Sequence, residues 1–492
     1  MDIISLGAAL KAEKIAKTKG QYLITTEANK PDITKLFDGD KWLNTDTSRE
    51  MVVTGGVYAE VPTAGTTTKK MYSEGEVDTA LALKATQSTT YTKTESDSNV
   101  AAAVLGLASE TYVNTAIKLG SDFYTGSYGL NWDETNDTYK RTGTGGYTAI
   151  QSLIRRCVLN ADRSVNYYLD PLDSTKKADG TPSILTGADG NVMVEIPKFY
   201  RKYSYNTAVG VVHEHSISLT AETGYILDPA FVIGGVEKDF RYFPAYKGTR
   251  SGGKLLSVSG TYPSVSFTIA TGRTEAAANG TGWHQIDWLL YEALTLLCII
   301  EYGTMNIQSA LGQGRTALTG GAWVGGSLIG INGLSNNLGN KTGNYTYAGS
   351  ADTASADLSF MSYRGCENFF GNIWGFIDGI NIQERVPFVS QNPATFASDV
   401  FTGDYVSAGV TMGAANGYTR KLSNSSKGFF PTDVTGGTSA VGTTDYYYQA
   451  VGNRIAVVGG TSATGLGAGP LSLAVGSDSA VSTVAVGSGP SC

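Results

Sequence analysis

The longest stretch with a helical hydrophobic period is Trp283 to Gln308, WHQIDWLLYEALTLLCIIEYGTMNIQ. Ile286, Leu289, Leu290, Ala293, Leu296, Leu297 and Ile300 recur at spacings of three and four, which places them on one face of a helix. Gln285, Glu292 and Glu301 fall on the other face, and Gly303 supplies a stop. The run is too short for a transmembrane span and is interrupted by Asp287, Glu292 and Glu301. It predicts the central helix of the main domain, held against strands and long loops.

Around it the period changes to two. Asn191 to Tyr205, NVMVEIPKFYRKYSY, alternates apolar and polar residues and predicts a strand, with Pro197 marking an edge, bulge or bend. Ser216 to Leu219 and Phe231 to Gly234 read as further strands, Tyr242 to Tyr246 as an extended aromatic stretch, and Lys254 to Pro263 as a surface loop or short hairpin. Ser152 to Asn160 reads as a short helix. Tyr363 to Gln383 is a second anchor: Phe369, Ile373, Trp374, Phe376 and Ile377 give it an apolar load, with Trp374 read as core, and a strand is expected from Asp378 to Ile382. Ile455 to Val458 and Leu471 to Val475 predict strands on either side of a loop of small residues, 459–470. The pattern is that of an α+β chain.

The first 120 residues read differently. Leu6 to Lys17 suits a short helix, Leu36, Phe37 and Trp42 offer a few anchors, and a Gly-, Pro- and Thr-bearing linker follows, so residues 1–68 are expected to be a small attachment or assembly region. Beyond it Tyr72, Tyr91 and Tyr112 recur at intervals of nineteen and twenty-one residues. Val77, Leu81 and Lys84, then Val100, Val104 and Leu107, follow a four-three spacing. Pieces this short bury little alone and gain stability by associating between chains, so residues 69–119 predict an oligomeric stalk, with two short helices lying on the main domain as the alternative. Residues 120–492 form the head.

Composition sharpens this picture. Glycine makes up 61 of 492 residues, nearly twice the usual share, whereas only 16% of residues are charged and tyrosine numbers 28. That balance suits a scaffold projecting long ordered loops, as on an extracellular or virion surface, in which tyrosine supplies adaptable contact area. A net charge of −7 argues against nucleic-acid binding. The opening MDIISLGAALKAEKIAKTKG lacks the pattern of a signal peptide, so if the protein works outside a cell it leaves by another route, of which release with assembled particles on lysis is one. Cys157, Cys298, Cys366 and Cys492 are widely spaced and form no metal-ligand cluster; two disulfides would allow three connectivities, none selected by the spacing. Cys298 reads as a packing residue of the helix.

Four stretches then point in one direction: VMVEIPKFYRK at 192–202, the 283–308 helix, YRGCENFFGNIWGFIDG at 363–379, and NRIAVVGG followed by GLGAGPLSL near the end. Together they resemble the C-terminal head of bacteriophage tail-fibre and receptor-binding proteins, a C-type-lectin-like fold shared with formylglycine-generating enzymes and phage tropism determinants. The Tyr91–Glu95 repeat, YTKTE, is similar to repeats in phage-fibre shafts. The resemblance covers residues 71–492. It implies a C-type-lectin-like head with Gly-rich loop insertions on a short helical, coiled-coil, homotrimeric stalk, located in the virion as a tail fibre. Its partners would be a bacterial surface receptor, glycan or protein, at the head and phage tail or baseplate proteins at the N-terminal region. Formylglycine-generating enzymes use a cysteine-based copper site, and the cysteines here match no such motif. The reading is therefore non-catalytic host-cell attachment, with no enzyme activity, cofactor, metal residue, nucleic acid or membrane insertion assigned.

Reversible recognition needs a rigid scaffold and exposed aromatic or amide side chains, and many weak sites on one particle give avidity. The candidate contacts are Asn336, Asn337, Asn344, Tyr345, Tyr347, Tyr405, Tyr418, Tyr446 and Tyr447. Two rivals remain. A structural baseplate, collar or adaptor protein would bury the Tyr-rich loops against other tail proteins. A polysaccharide depolymerase would want two carboxylates across a cleft, for which Glu367 and Asp378 offer themselves.

Overall fold

The computed structural model describes residues 22–25, 41–44, 49–54 and 57–60 of the first hundred, then 126–143, 147–207, 211–318, 328–346, 359–425 and 427–492. The chain divides into two compact units, Met1–Val100 and Ala101–Cys492. In the first, Tyr22–Thr25, Lys41–Asn44, Arg49–Thr54 and Val57–Glu60 form a four-stranded sheet in sequence order, parallel in its first pair and antiparallel after that. The expected helix at Leu6–Lys17 and the repeat of the 69–119 stalk lie outside the described residues.

The second unit is a mixed α+β structure. Its main elements, in chain order, are β1 (Tyr128–Asp133), β2 (Thr138–Gly143), β3 (Arg155–Leu159), β4 (Asn191–Pro197), β5 (Tyr200–Asn206), β6 (Val212–Ser218), β7 (Phe240–Pro244), α1 (Ile269–Ala277), α2 (Trp288–Tyr302), α3 (Ile307–Leu311), β8 (Trp374–Gln383), β9 (Gly417–Tyr418), β10 (Tyr446–Gln449), β11 (Asn453–Gly459) and β12 (Gly469–Val475). One antiparallel sheet runs β7-β4-β3 and continues into Val165–Asp170 and Asp173–Lys177. A second runs Ile226–Leu227, β5, β6, β1, β2. The largest starts with Val406–Ser407 and Val386–Val389 and proceeds β8-β11-β12-β10-β9, with Val486–Gly487 pairing β8.

α2 is the helix expected from the hydrophobic period but shorter than the predicted 283–308: His284–Gln285 instead forms a strand paired with Pro490–Ser491, and Ile307 begins α3. Asp287 caps its N-terminus by accepting from the Leu290 amide at 3.0 Å, and Gly303 closes it with φ 70°. Arg141 of β2 donates to the last-turn carbonyls of Ile300 and Glu301, satisfying groups the helix itself leaves open. Its sides do not divide into apolar and polar halves as the spacing predicts: every residue from Trp288 to Ile300 is buried, Glu292 among them. The reason is that α2 shares one core with β1, β4 and β8, through Leu130, Trp132, Ile196, Ile377 and Ile382, so it has no solvent face over that length.

Glu292 is accommodated by charge. Arg201 of β5, itself buried, donates to both Glu292 oxygens at 2.6 and 3.2 Å and to Asp228 at 3.2 Å. One guanidinium thus serves two buried carboxyls, and burial together with the neighbouring Glu292 charge pushes Asp228 up to about 6 against the pull of Arg201.

Pro197 ends β4, and the chain crosses through Lys198 and Phe199 to β5 in a different sheet, so the single predicted strand is two. The helix expected at Ser152–Asn160 is instead a 3-10 turn, Gln151–Leu153, followed by β3. Cys157, Val158 and Leu159 are buried there with β4 and Val165–Asp170 on either side, and pairing on both edges overrides local helix preference. All four cysteines are buried free thiols. Among the described residues no helix is long and apolar enough to cross a membrane.

Candidate aromatic recognition face

The site is built on the far strands of the largest sheet. Within β10 the sequence Tyr446-Tyr447-Tyr448 puts successive side chains on opposite faces. Tyr447 turns inward, is fully buried and donates its hydroxyl to the Gly413 carbonyl at 3.2 Å. Tyr446 and Tyr448 share the other face, with ring centroids 4.5 Å apart. β9 places Tyr418 opposite Tyr446, and these rings meet edge to face at 5.1 Å.

The row extends the other way across three strands. Tyr448 is in register with Ala474 of β12, Ala474 with Val457 of β11, and Val457 with Phe376 of β8. Trp374, two residues before Phe376, emerges on the same side and meets Tyr448 at 6.0 Å and 84°. Alanine at 474 leaves the space over which these rings touch. Trp374 is therefore half-buried at one end of an aromatic row, where the sequence predicts a core residue; its ring packs on the second hydrophobic cluster, with Phe376, Ile455 and Val457. The 465–467 turn sits against the row, since a Cβ on Gly467 would lie 2.8 Å from that of Tyr446, and the neighbouring Leu466 is 45% exposed.

Trp374, Tyr448, Tyr446 and Tyr418 thus form a continuous row with mixed ring orientations, cross-braced rather than flat. Bracing fixes the rings before any ligand arrives, and an aromatic side chain has few rotors to lose. Among the described residues the hydroxyls of Tyr418, Tyr446 and Tyr448 have no hydrogen-bond partner. Burial first, then the neighbouring phenols, pushes the Tyr448 hydroxyl above its ordinary range, so it stays a neutral donor near pH 7. Chemically this is a rigid, uncharged surface with apolar ring area and free hydroxyls.

Of the residues expected at a contact surface, the structure unites only Tyr418 and Tyr446. Tyr447 and Tyr405 are corrected to structural roles: Tyr405 is 3% exposed and its hydroxyl closes a pair of bonds with the Ala397 amide and carbonyl. Asn336 is spent on Tyr246 and Ser259, and Asn344, though exposed, accepts from the Gly314 amide at 2.8 Å. Tyr345 stacks on Phe360 and donates to the Thr342 carbonyl, Asn337 is exposed, and Tyr347 lies outside the described residues. Of the other members, Trp374 is read from the sequence as core and Tyr448 is not singled out there, although the period-two alternation of the three tyrosines carries the signal for it.

The two carboxylates considered for hydrolysis do not face each other across a cleft. Glu367 is buried and accepts from the Gly333 and Ser335 amides, holding that loop. Asp378 is buried in a bidentate pair with Arg273, at 2.7 and 2.9 Å. A concavity of about 610 Å³ lies elsewhere, lined by Lys238, Phe240, Arg241, Tyr242, His284 and Asn392 among others, but its Arg241 is taken up by Asp287 and by the Ala230 and Cys492 carbonyls. Among the described residues no three His, Cys, Asp or Glu side chains are grouped to hold a metal ion. Comparison with protein-family models and with curated proteins finds no match to this chain.

Proposed function

We propose that this chain is the receptor-binding protein of a bacteriophage tail fibre, attaching the particle to a bacterial surface receptor without chemical change to it. The observation that carries the site is the row Trp374–Tyr448–Tyr446–Tyr418, pre-braced and with unused hydroxyls. The phage assignment itself rests on the four sequence stretches and the shaft-like repeat. In this reading residues 120–492 are a C-type-lectin-like head, a description supported by a long central helix against a sheet and by loop-rich connections. Residues 69–119 are its trimeric stalk and residues 1–68 its attachment to tail or baseplate proteins. Fibre heads work in many copies, so modest affinity at each suffices.

The test is retention of fluorescently labelled full-length protein on a panel of intact bacteria, with a Tyr446→Ala/Tyr448→Ala variant alongside. Aromatic anchors of this kind dominate binding energy, so the variant is expected to lose at least about tenfold in retention on any strain the parent binds. Protease or periodate treatment of the cells then separates protein from glycan receptors. A parent that binds no strain defeats the attachment reading, and a double variant that binds like the parent removes the site from this face.

A further inference from the structure

A second concavity, of about 280 Å³, opens between the β1–β2 turn, the segment leading into α3, and the loop before β10. Asp137, Tyr139, Thr304, Asn306, Ser309 and Thr444 line it; Asp137 brings a carboxylate, Asn306 an amide, and Thr304 and Ser309 hydroxyls, the Tyr139 hydroxyl being given to the Gly442 carbonyl, and the lining holds no cationic side chain. From these groups we infer a binding site for a single neutral sugar ring. It stands apart from the aromatic row and does not depend on that row being the receptor face.

The polar groups are held but not exhausted. Asp137 accepts from the Trp132 indole on one oxygen and from the Gly442 amide on the other, both at 3.1 Å, which fixes the carboxylate while each oxygen retains acceptor capacity. Asn306 uses its carbonyl oxygen to accept from the Ser309 amide at 3.0 Å, leaving its NH2 group to donate. A carboxylate acceptor beside an amide donor matches a pair of adjacent sugar hydroxyls, each of which both gives and takes a hydrogen bond. Without a cation in the lining, an anionic sugar gains nothing here. The volume is at the small end of ligand pockets, which limits the occupant to about one ring.

The backbone gives an independent reason to look at this place. Ten described non-glycine residues have positive φ, and two of them, Asp137 at 53° and Thr444 at 64°, line this one concavity. Thr444 is the only β-branched residue among the ten, and that region of φ is costly for such a side chain. Its hydroxyl is also buried without a hydrogen-bond partner. Strain and an unsatisfied hydroxyl at one residue are unfavourable for folding alone, and such features gather where a binding surface has to be shaped.

The experiment is a titration of the full-length protein with the methyl glycosides of glucose, galactose, mannose and N-acetylglucosamine, read by saturation transfer to the sugar in NMR. At least one is expected to bind saturably, with a dissociation constant on the order of 1 mM for so small a ligand. Ala310→Trp, at an exposed position on the rim, fills the concavity and is expected to weaken that binding at least about tenfold. Ser309→Phe, equally exposed, replaces it if the melting transition shows that the tryptophan disturbs the fold. Absence of saturable binding by all four glycosides overturns the inference, as does binding that survives the filled concavity. The titration uses no bacteria, so its failure is distinct from failure of the cell-retention assay.

Discussion

Replacing Glu292 by glutamine tests whether one guanidinium really holds two buried carboxyls. In the parent, Asp228 is raised to about 6 from an ordinary value of 3.8, so the folded chain keeps a proton there that the unfolded chain releases. This contribution to stability is therefore full below the unfolded value and is lost as pH rises through about 6. The gap of about two pKa units is worth at most about 3 kcal/mol, of which about 2 kcal/mol is present at about pH 4.5 and almost none at pH 7. Glu292→Gln leaves Arg201 facing Asp228 alone and removes the neighbouring negative charge, so the Asp228 value falls part of the way back while burial continues to hold it up. The loss of stability caused by the substitution is then expected to be greater at pH 4.5 than at pH 7, by at most about 2 kcal/mol. Urea unfolding of both proteins at the two pH values measures this directly. Arg201→Met serves as the opposite perturbation: it strands both carboxyls, costs about 3–5 kcal/mol, and should be worse at pH 7 than at pH 4.5. If the difference between parent and Glu292→Gln is the same at both pH values within about 0.5 kcal/mol, the Glu292 charge is not a cause of the raised Asp228 value.

Two further outcomes follow from the region around β10. Thr444→Gly relieves a left-handed β-branched residue and is expected to stabilise the fold by about 1 kcal/mol, the released strain exceeding the added chain entropy; a drop in melting temperature would show that Thr444 is not strained. Tyr447→Ala opens a cavity in the core and should cost about 3–5 kcal/mol in denaturant unfolding, whereas Tyr448→Ala, 36% exposed, should cost under about 1.5 kcal/mol; equal losses would contradict the strand register assigned here.

The parts of this fold that were legible in the sequence are those where one local rule decides the outcome. The three-four spacing from Ile286 to Ile300 gave the helix, and Gly303 gave its stop because only a left-handed residue closes it that way. Pro197 announced a break, although nothing nearby said that the chain would change sheets. What escaped depends on partners distant in sequence. Arg155–Leu159 became a strand because Asn191–Glu195 lies alongside it, and Glu292 could be buried because Arg201 comes from another sheet. The site divides likewise. Tyrosine enrichment pointed to Tyr418 and Tyr446, but Trp374 joins them only through registers across β8, β11, β12 and β10. Tyr405 and Tyr447 have the same composition cue and the opposite fate: strand alternation turns Tyr447 inward, and bonds to the Ala397 backbone bury Tyr405 in its loop.

The pairings made by residues 486–491 set the timing of biosynthesis. Val486–Gly487 adds to β8 at Trp374, Pro490–Ser491 pairs with His284–Gln285 just before α2, and the Tyr242 amide bonds to the Cys492 carbonyl. A ribosome making this chain therefore releases α2 and β8 long before their last partners exist. Closing such distant segments is slow, and until it happens the strand edges at His284–Gln285 and Trp374–Gly375 stay open to other nascent copies. Completion of these pairings thus belongs to the moments after residue 491 emerges, and disrupting them, as by Ser491→Pro, should be felt at expression, as aggregated chain, before any assay of function can be run.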